Sequence, residues 1–294
     1  MSKYENIFNE IVKQTGEYCV TYNIKSLVLG LSGGLDSTVC AAIGKTVFDR
    51  YGVKLIGISL PCKTNTNLEN DIASTAGSIF CNEYKCINID TLYGASKYLC
   101  DTYEGESTQI SQGNLKARIR MMMLYNAASI NRGIVIDTDN LSEHYLGFWT
   151  LHGDVGDFKP IGNLWKSEVY ELARYIREMY NLIVENSYNY NDEQYSFALK
   201  ARTVMEMAIK ITPTDGNGVA AGGDMAQIAP GYTYNEVDKV LQYLTSPTEL
   251  LSDEGWEKIA NTYFNGDMEM VDKICDRYHK SMFKRNTEYV GVII

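Results

Sequence analysis

The residues Ser32, Gly33, Gly34, Leu35, Asp36, Ser37 and Thr38 could do the most specific chemistry in this chain. Ser32-Gly33-Gly34 permits a tight reversal in which backbone N–H groups converge on one concavity, because glycine reaches angles that a Cβ forbids. A helix opening at Asp36 turns its unpaired N–H groups and the positive end of its dipole toward the same space. A polyphosphate fits there. The hydroxyls of Ser32, Ser37 and Thr38 can add donors, and Asp36 can hold Mg2+ against phosphate oxygens. A glycine turn whose Asp and Ser merely cap a helix would use some of the same residues, but it does not require the whole hexapeptide at a strand-to-helix junction. The run lacks both the lysine of the GxxxxGK[ST] loop and the GxGxxG spacing, so it is a different kind of phosphate site.

Other side chains could serve the same site. Lys166 in Leu164-Trp165-Lys166 is a flexible point charge suited to phosphates, although on its own it would read as a solvated lysine opening a helix. Asn114, Arg118 and Tyr125 follow one another at spacings of four and seven, which places them near one helix face. The Arg118 fork can donate two parallel bonds to a phosphate or carboxylate, or simply form a surface ion pair. Gly153-Asp154-Val155-Gly156-Asp157 reads as an Asp/Gly turn carrying two carboxylates.

The elements that must position these groups alternate along the chain. A helix is predicted over Lys3–Tyr22, with strands at Lys25–Leu31, Lys54–Leu60, Cys86–Asp90 and Gly133–Thr138 and helices at Asp36–Arg50, Leu68–Cys81 and Asn114–Ile130. Such alternation marks an α/β fold, a doubly wound and mostly parallel sheet with helices on both faces. Ligands on such sheets bind beyond the carboxyl ends of the strands, where Ser32-Gly33-Gly34 and Asp137-Thr138-Asp139-Asn140 both fall. Further helices are predicted over Ser167–Tyr180 and Phe197–Ile209. The glycine-rich loop Asp215–Asp224 is a candidate lid.

The 294 residues suffice for one substantial α/β domain, and no Pro/Gly/Ser-rich linker divides them. A net charge of −10 argues against nucleic acid or an anionic membrane as partner. No apolar signal core opens the sequence, and no stretch reaches the roughly 20 apolar residues of a membrane span, so a cytoplasmic location is expected. The 7 scattered cysteines suggest neither a disulfide framework nor a zinc site.

Taken in order, Ser32–Ser37, Gly113-Asn114-Leu115-Lys116-Ala117-Arg118, Thr138-Asp139-Asn140-Leu141-Ser142-Glu143 and Gly153-Asp154 resemble the ammonia-using NAD synthetases over nearly the whole chain. The hexapeptide alone is shared by several ATP pyrophosphatases, GMP synthetase and argininosuccinate synthetase among them. The resemblance implies an adenine nucleotide α-hydrolase-like fold and a two-step amidation of nicotinic acid adenine dinucleotide (deamido-NAD). In that reaction the carboxylate attacks the α-phosphate of ATP, pyrophosphate leaves, and ammonia then displaces AMP to give NAD.

By the same resemblance, Gly30, Leu31, Ser32, Gly33, Gly34, Leu35, Asp36 and Ser37 would form the ATP loop, with Thr138, Lys166 and Thr214 also on ATP. Asp36 and Glu143 would bind Mg2+. Asn114, Arg118, Tyr125, His279 and Lys280 would bind deamido-NAD, and Phe148 would stack on its pyridine ring. Asp154 and Asp157 would be the acidic pair near the carboxylate and the incoming ammonia. A homodimer is implied, with the dinucleotide at the two-fold interface. The ATP loop begins too early to leave room upstream for a glutaminase domain, so free ammonia is the expected nitrogen source.

Several positions depart from the family pattern. Leu151 stands where a lysine is usual, Asp137 replaces a glycine, and Leu60-Pro61-Cys62 differs after the second strand. The interval Lys166–Pro213 is longer, and Gly222-Gly223-Asp224-Met225-Ala226-Gln227 replaces an acidic loop, while Tyr234-Asn235-Glu236-Val237-Asp238 is retained. Two other readings use part of the pattern. An ATP pyrophosphatase amidating or thiolating another substrate, if a tRNA, should show a basic face. A non-catalytic nucleotide-binding module would not need both Asp36 and Glu143.

Overall fold

The computed structural model describes residues 2–154, 156–214, 222–246 and 251–285. Most of the expected lid, residues 215–221, lies outside them. The first half alternates as predicted: α1 (Lys3–Thr21), β1 (Ser26–Gly30), α2 (Leu35–Tyr51), β2 (Lys54–Ser59), α3 (Asn67–Phe80), β3 (Glu83–Cys86), α4 (Asp90–Glu104), α5 (Gln109–Ile130) and β4 (Gly133–Ile136). Helices follow: α6 (Leu141–Leu146), α7 (Lys166–Glu185), α8 (Asp192–Lys210), α9 (Asp224–Ile228), α10 (Tyr234–Leu244), α11 (Asp253–Tyr263), α12 (Met268–Lys280) and α13 (Met282–Arg285). Among the described residues no helix is long and apolar enough to cross a membrane.

The four strands are parallel in the order β3-β2-β1-β4. Strand residues alternate between faces, so Leu27, Leu29 and Leu55 enter one apolar layer with α1, α2, α3, α7 and α8. Val28, Ile56 and Val135 enter the other, against Ile119 and Ala128 of α5. Strand β1 is buried on both sides, which is why its sequence reads as one continuous apolar run. The chain winds outward from β1 to β2 and β3, then returns to place β4 on β1's other edge. The order therefore reverses between β1 and β4, and the loops leaving these two strands flank the crevice where such sheets take ligands.

Two expectations differ from the structure. The third strand is Glu83–Cys86 rather than Cys86–Asp90. It is an edge strand with polar, largely exposed residues, while the apolar Ile89 within the predicted range is buried at the start of α4. Helix α4 itself was not anticipated, and none of its residues is buried. The lengthened segment after Lys166 has a structural role. Helices α7 and α8 pack together and against α2 and α3, and Ala198, Ala201, Val204 and Met205 are all fully buried. A third apolar cluster joins Leu146 of α6 to Val237 and Leu241 of α10, to Phe264 at the end of α11 and to Ile274 of α12.

Phe80 ties this outer layer to the sheet. It is 0% exposed, with its ring 6.1 Å from that of Tyr180 and 6.3 Å from that of Phe197. Phe80→Ala should cost about 3–5 kcal/mol in stability, measured by denaturant unfolding, because the packed α7–α8 pair cannot collapse into the space left.

Candidate active site

The loop between β1 and α2 is built as its sequence suggests. Gly33 has a φ of +85°, and a Cβ there would stand 2.0 Å from the carbonyl oxygen of Glu69, so only glycine fits. Within the loop, Gly34 N–H donates to Ser32 Oγ (3.2 Å), and Ser37 Oγ and Thr38 Oγ1 donate to the Gly34 carbonyl (3.1 and 2.9 Å). The hydroxyls thus brace the turn. Helix α2 starts after Gly34 with no side-chain cap on its N-terminus, so its first N–H groups remain available to an anion.

Facing this N-terminus is a buried charge cluster. Lys166 is 2% exposed, and its Nζ donates both to Asp36 Oδ2 and to Glu143 Oε1, the latter at 2.8 Å. The second oxygen of Asp36 accepts from Asn140 Nδ2 (3.0 Å). Asn140 caps α6 and Glu143 closes the capping box, so one oxygen of Glu143 serves the helix terminus and the other the lysine. The backbone N–H of Lys166 donates to Ser142 Oγ (2.8 Å). Ser142 donates in turn to Asp238 Oδ1 (2.5 Å), and Asp238 Oδ2 accepts from Ser167 N–H (2.9 Å). Burial pushes the Glu143 carboxyl up to about 7 against the opposing pull of Lys166, with the Asp36 charge adding to the rise. Burial lowers the Lys166 ammonium, but the two carboxylates outweigh it and raise it well above the usual lysine value.

Two carboxylates converging on one cation can also hold Mg2+. Among the described residues no third His, Cys, Asp or Glu joins them at metal-binding geometry. That donor set suits Mg2+, which binds through one or two carboxylates together with substrate phosphates and waters. Lys166 Nζ occupies the point on which their oxygens converge.

One cavity of about 510 Å3 connects these groups with the rest of the predicted site. It is lined by Gly30, Leu31, Ser32, Gly34, Leu35, Asp36, Ser37, Thr138, Glu143, Lys166 and Thr214, and further along by Asn114, Phe148, Asp154 and Lys280. Thr214 Oγ1 donates to the buried Glu69 (3.0 Å) across the mouth. Asp154 accepts from Thr150 N–H (2.9 Å), and burial raises its carboxyl above the ordinary value. Lys280 pairs with Asp276 at 3.2 Å on the rim.

Five expected residues do not line the cavity: Gly33, whose backbone forms the turn beneath it, and Arg118, Tyr125, Asp157 and His279. Arg118 is exposed, with Nε donating to the Leu151 carbonyl (3.3 Å), and the Tyr125 hydroxyl donates to Asp157 Oδ1 (3.2 Å). With Asn114 Oδ1, which accepts from Thr150 Oγ1 (2.8 Å), the stripe predicted on one face of α5 grips the segment 150–157. Asp157 is not paired with Asp154 across the site. Its second oxygen accepts from Val135 N–H (2.8 Å), which anchors the segment to β4. His279 is exposed and its Nδ1 lies 2.9 Å from the Cys275 carbonyl one helical turn back, so its ring is turned along α12. The shared face was read correctly from the spacing, but spacing cannot say that a loop, rather than a ligand, covers that face.

Several site residues escaped the sequence reading. Arg120 lines the cavity and holds the departing Leu60-Pro61-Cys62 segment, donating to the Leu60 carbonyl (3.0 Å) and Asn65 Oδ1 (3.1 Å). Asn140, with Glu143 three residues on, carries a readable capping signal, and Asp238 lies in the retained segment Tyr234–Asp238, whereas Arg277 and Lys284 carry none. The Asp137 that replaces a glycine is buried and paired with Lys159 at 2.9 Å, beside Gly156 N–H.

The NAD synthase family model matches residues 7–288. The NH(3)-dependent NAD(+) synthetase of Methanococcoides burtonii is 29% identical over 273 residues, 92% of this chain and 88% of that protein. The fold is shared with a solved NMN synthetase from Francisella tularensis, TM-score 0.73 at 24% identity over 100% of both chains. It is also shared with an NH3-dependent NAD synthetase from Campylobacter jejuni, TM-score 0.67 at 24% identity over 99% of this chain and 100% of that one.

Asp238 has no exposed surface and bonds both Ser142 and the start of α7. Asp238→Ala should therefore destabilise the fold by about 1–3 kcal/mol in thermal or denaturant unfolding, since it strands the Ser142 hydroxyl and the Ser167 N–H without an acceptor.

Proposed function

Because the chain belongs to the NAD synthase family, we propose that it is an ammonia-dependent NAD synthetase, a ligase that forms a C–N bond by amidating the nicotinate carboxylate of deamido-NAD with ATP. The observation that carries this reading is the convergence of Asp36, Glu143 and Lys166 on the uncapped N-terminus of α2, in one cavity with Phe148 and Asp154.

ATP would lay its pyrophosphate against Gly34 and the first N–H groups of α2, whose dipole favours the anion. Mg2+, held by Asp36 and Glu143, would neutralise charge on the phosphates when bound. Lys166 would then turn its ammonium from the carboxylates to the phosphate oxygens, where positioning and electrostatics dominate phosphoryl chemistry. Phe148 offers its ring to the pyridine. A carboxylate is unreactive toward ammonia until one oxygen becomes a good leaving group. Attack of that oxygen on the α-phosphorus expels pyrophosphate and leaves an acyl adenylate. The ammonia nitrogen then bonds to the acyl carbon, AMP leaves with the original oxygen, and Asp154 is placed to accept the proton lost by nitrogen. The raised carboxyl of Asp154 suits a base working closer to neutral pH.

We further propose that the 294 residues act as one catalytic domain using free ammonia, in a cytoplasmic setting. Small molecules rather than nucleic acid are the proposed partners, in keeping with the net charge of −10. A homodimer is supported by α4 and α5, which expose Tyr98 (72%), Leu99 (58%), Tyr103 (84%), Ile110 (63%) and Ile130 (73%). One observation favours a smaller substrate. Arg118, Tyr125 and His279, expected on the dinucleotide, do not line the cavity. Nicotinic acid mononucleotide has the same carboxylate and would need none of them.

Purified protein with MgATP and ammonium should release AMP and amide together when given deamido-NAD, and chromatography with each component omitted in turn should show that all are required. Turnover of the mononucleotide alone would select the second reading, and AMP from neither acid would overturn both. In the same assay Asp36→Ala should lower AMP formation by about 100-fold or more, since it removes a metal ligand and a partner of Lys166. Near-normal turnover would remove Asp36 from the mechanism.

The dimer is checked separately. Sedimentation should give twice the chain mass at micromolar concentration, and Leu99→Glu with Tyr103→Glu should shift it to monomer. A monomeric wild type would contradict the assembly.

A further inference from the structure

The two carboxylates that would share Mg2+ belong to separate elements, Asp36 to the first turn of α2 and Glu143 to the first turn of α6. One side chain joins them. Asn140 has no exposed surface; its Nδ2 donates to Asp36 Oδ1 (3.0 Å), 104 residues away, and its Oδ1 accepts from the Glu143 N–H (3.1 Å). The backbone donor fixes the amide's orientation, since an N–H pairs with Oδ1 and not with the NH2, so the NH2 must face Asp36. The Asn140 N–H in turn donates to Glu143 Oε2 (3.4 Å). The same residue thus engages one oxygen of each carboxylate. Asp36 Oδ2 and Glu143 Oε1 are left as the pair that meets Lys166 Nζ.

Without that amide, Asp36 has another place to put its carboxylate. An acidic side chain in the first turn of a helix is drawn to the N–H groups there, and those of α2 carry no side-chain cap. An Asp36 oxygen turned onto them would desert the cation and fill the cradle meant for a phosphate. Asn140 holds the carboxylate the other way. Its capping role is separable from this one. Ser2 on α1 and Thr66 on α3 form the same capping box with Glu5 and Glu69, their hydroxyls accepting from the third N–H at 3.2 and 3.1 Å. A hydroxyl at position 140 could cap α6 in that way, but it stops one bond short of the Nδ2 that reaches Asp36.

We propose that Asn140 is a positioning residue for the metal, locking Asp36 and Glu143 at the spacing in which each offers one oxygen to the same cation. The inference rests on the ligase reading above and on its assignment of Mg2+ to these two acids. Mg2+ demands near-ideal octahedral geometry and takes only one or two carboxylates beside phosphate and water oxygens. Two carboxylates already held in place therefore bind it better than two that must be ordered as it binds. Groups that orient metal ligands from behind are worth about 10- to 100-fold in metal affinity.

The test uses N140S and N140T, which keep a hydroxyl cap of the kind found on α1 and α3 and remove the amide bond to Asp36. Both should melt within a few degrees of the wild type. Mn2+ stands in for Mg2+ as a paramagnetic probe, titrated into the complex with α,β-methylene ATP and followed by electron paramagnetic resonance. Its affinity should fall about 10- to 100-fold in both variants. The Mg2+ concentration for half-maximal AMP formation should rise by a similar factor, with kcat restored to within about threefold at saturating Mg2+ and KM for the acid unchanged. Folded variants with wild-type Mn2+ affinity would overturn the proposal and leave the ligase reading standing, as would a fall in kcat that no Mg2+ concentration restores. Loss of folding in both variants would reduce Asn140 to a structural cap and overturn it as well. A wild-type complex that binds no Mn2+ would overturn the metal assignment and this inference with it, whereas the omission assay decides the ligase reading by itself.

Discussion

The site depends on one buried ammonium held between two carboxylates. Lys166 opens α7, Asp36 opens α2 and Glu143 opens α6, so three helix N-termini meet at a single cation. A buried charge is tolerable only when its partners are themselves fully hydrogen-bonded, and here they are. Asn140 satisfies Asp36, the α6 capping box satisfies Glu143, and Ser142 with Asp238 fixes the backbone from which Lys166 projects. The cluster carries one more negative charge than positive when both acids are ionised. On the proposed reading a divalent cation would take the lysine's place between them, which would free the lysine for the phosphates.

A second constraint acts on the segment that bears Phe148 and Asp154. It has little regular structure, so other elements must hold it in place. On one side the Asn114, Arg118 and Tyr125 stripe of α5 bonds Thr150, Leu151 and Asp157. On the other, Arg277, Ser281, Lys284 and Arg285 bond the carbonyls of residues 145–149. The C-terminal helices are therefore a wall of the site. Their charges reach it only because the third apolar cluster packs α12 against α6.

Much of the scaffold was legible in the sequence because periodicity reports burial. The continuous apolar run of β1, the Ser-Gly-Gly turn and the helix beyond it follow from residues close together in the chain, and each has a local physical cause. The edge strand β3 and helix α4 were not legible for the same reason. Among the described residues neither contains a fully buried side chain, Tyr84 and Tyr93 being only partly buried against the apolar layers, so no pattern announces it.

What the sequence determined by itself was the tight Ser-Gly-Gly turn at a helix N-terminus, the parallel α/β order and the kinds of residue available for chemistry, since glycine angles, helix dipoles and apolar spacing act over a few residues. Only the tertiary structure decided which charges meet. It brought Glu143 and Lys166 to Asp36 across more than a hundred residues, turned Arg118 and Tyr125 onto a loop, and carried Lys284 to Phe148. Electrostatic pairing depends on distance in space and on exclusion of water, and a linear sequence encodes both only through the packing of the whole chain.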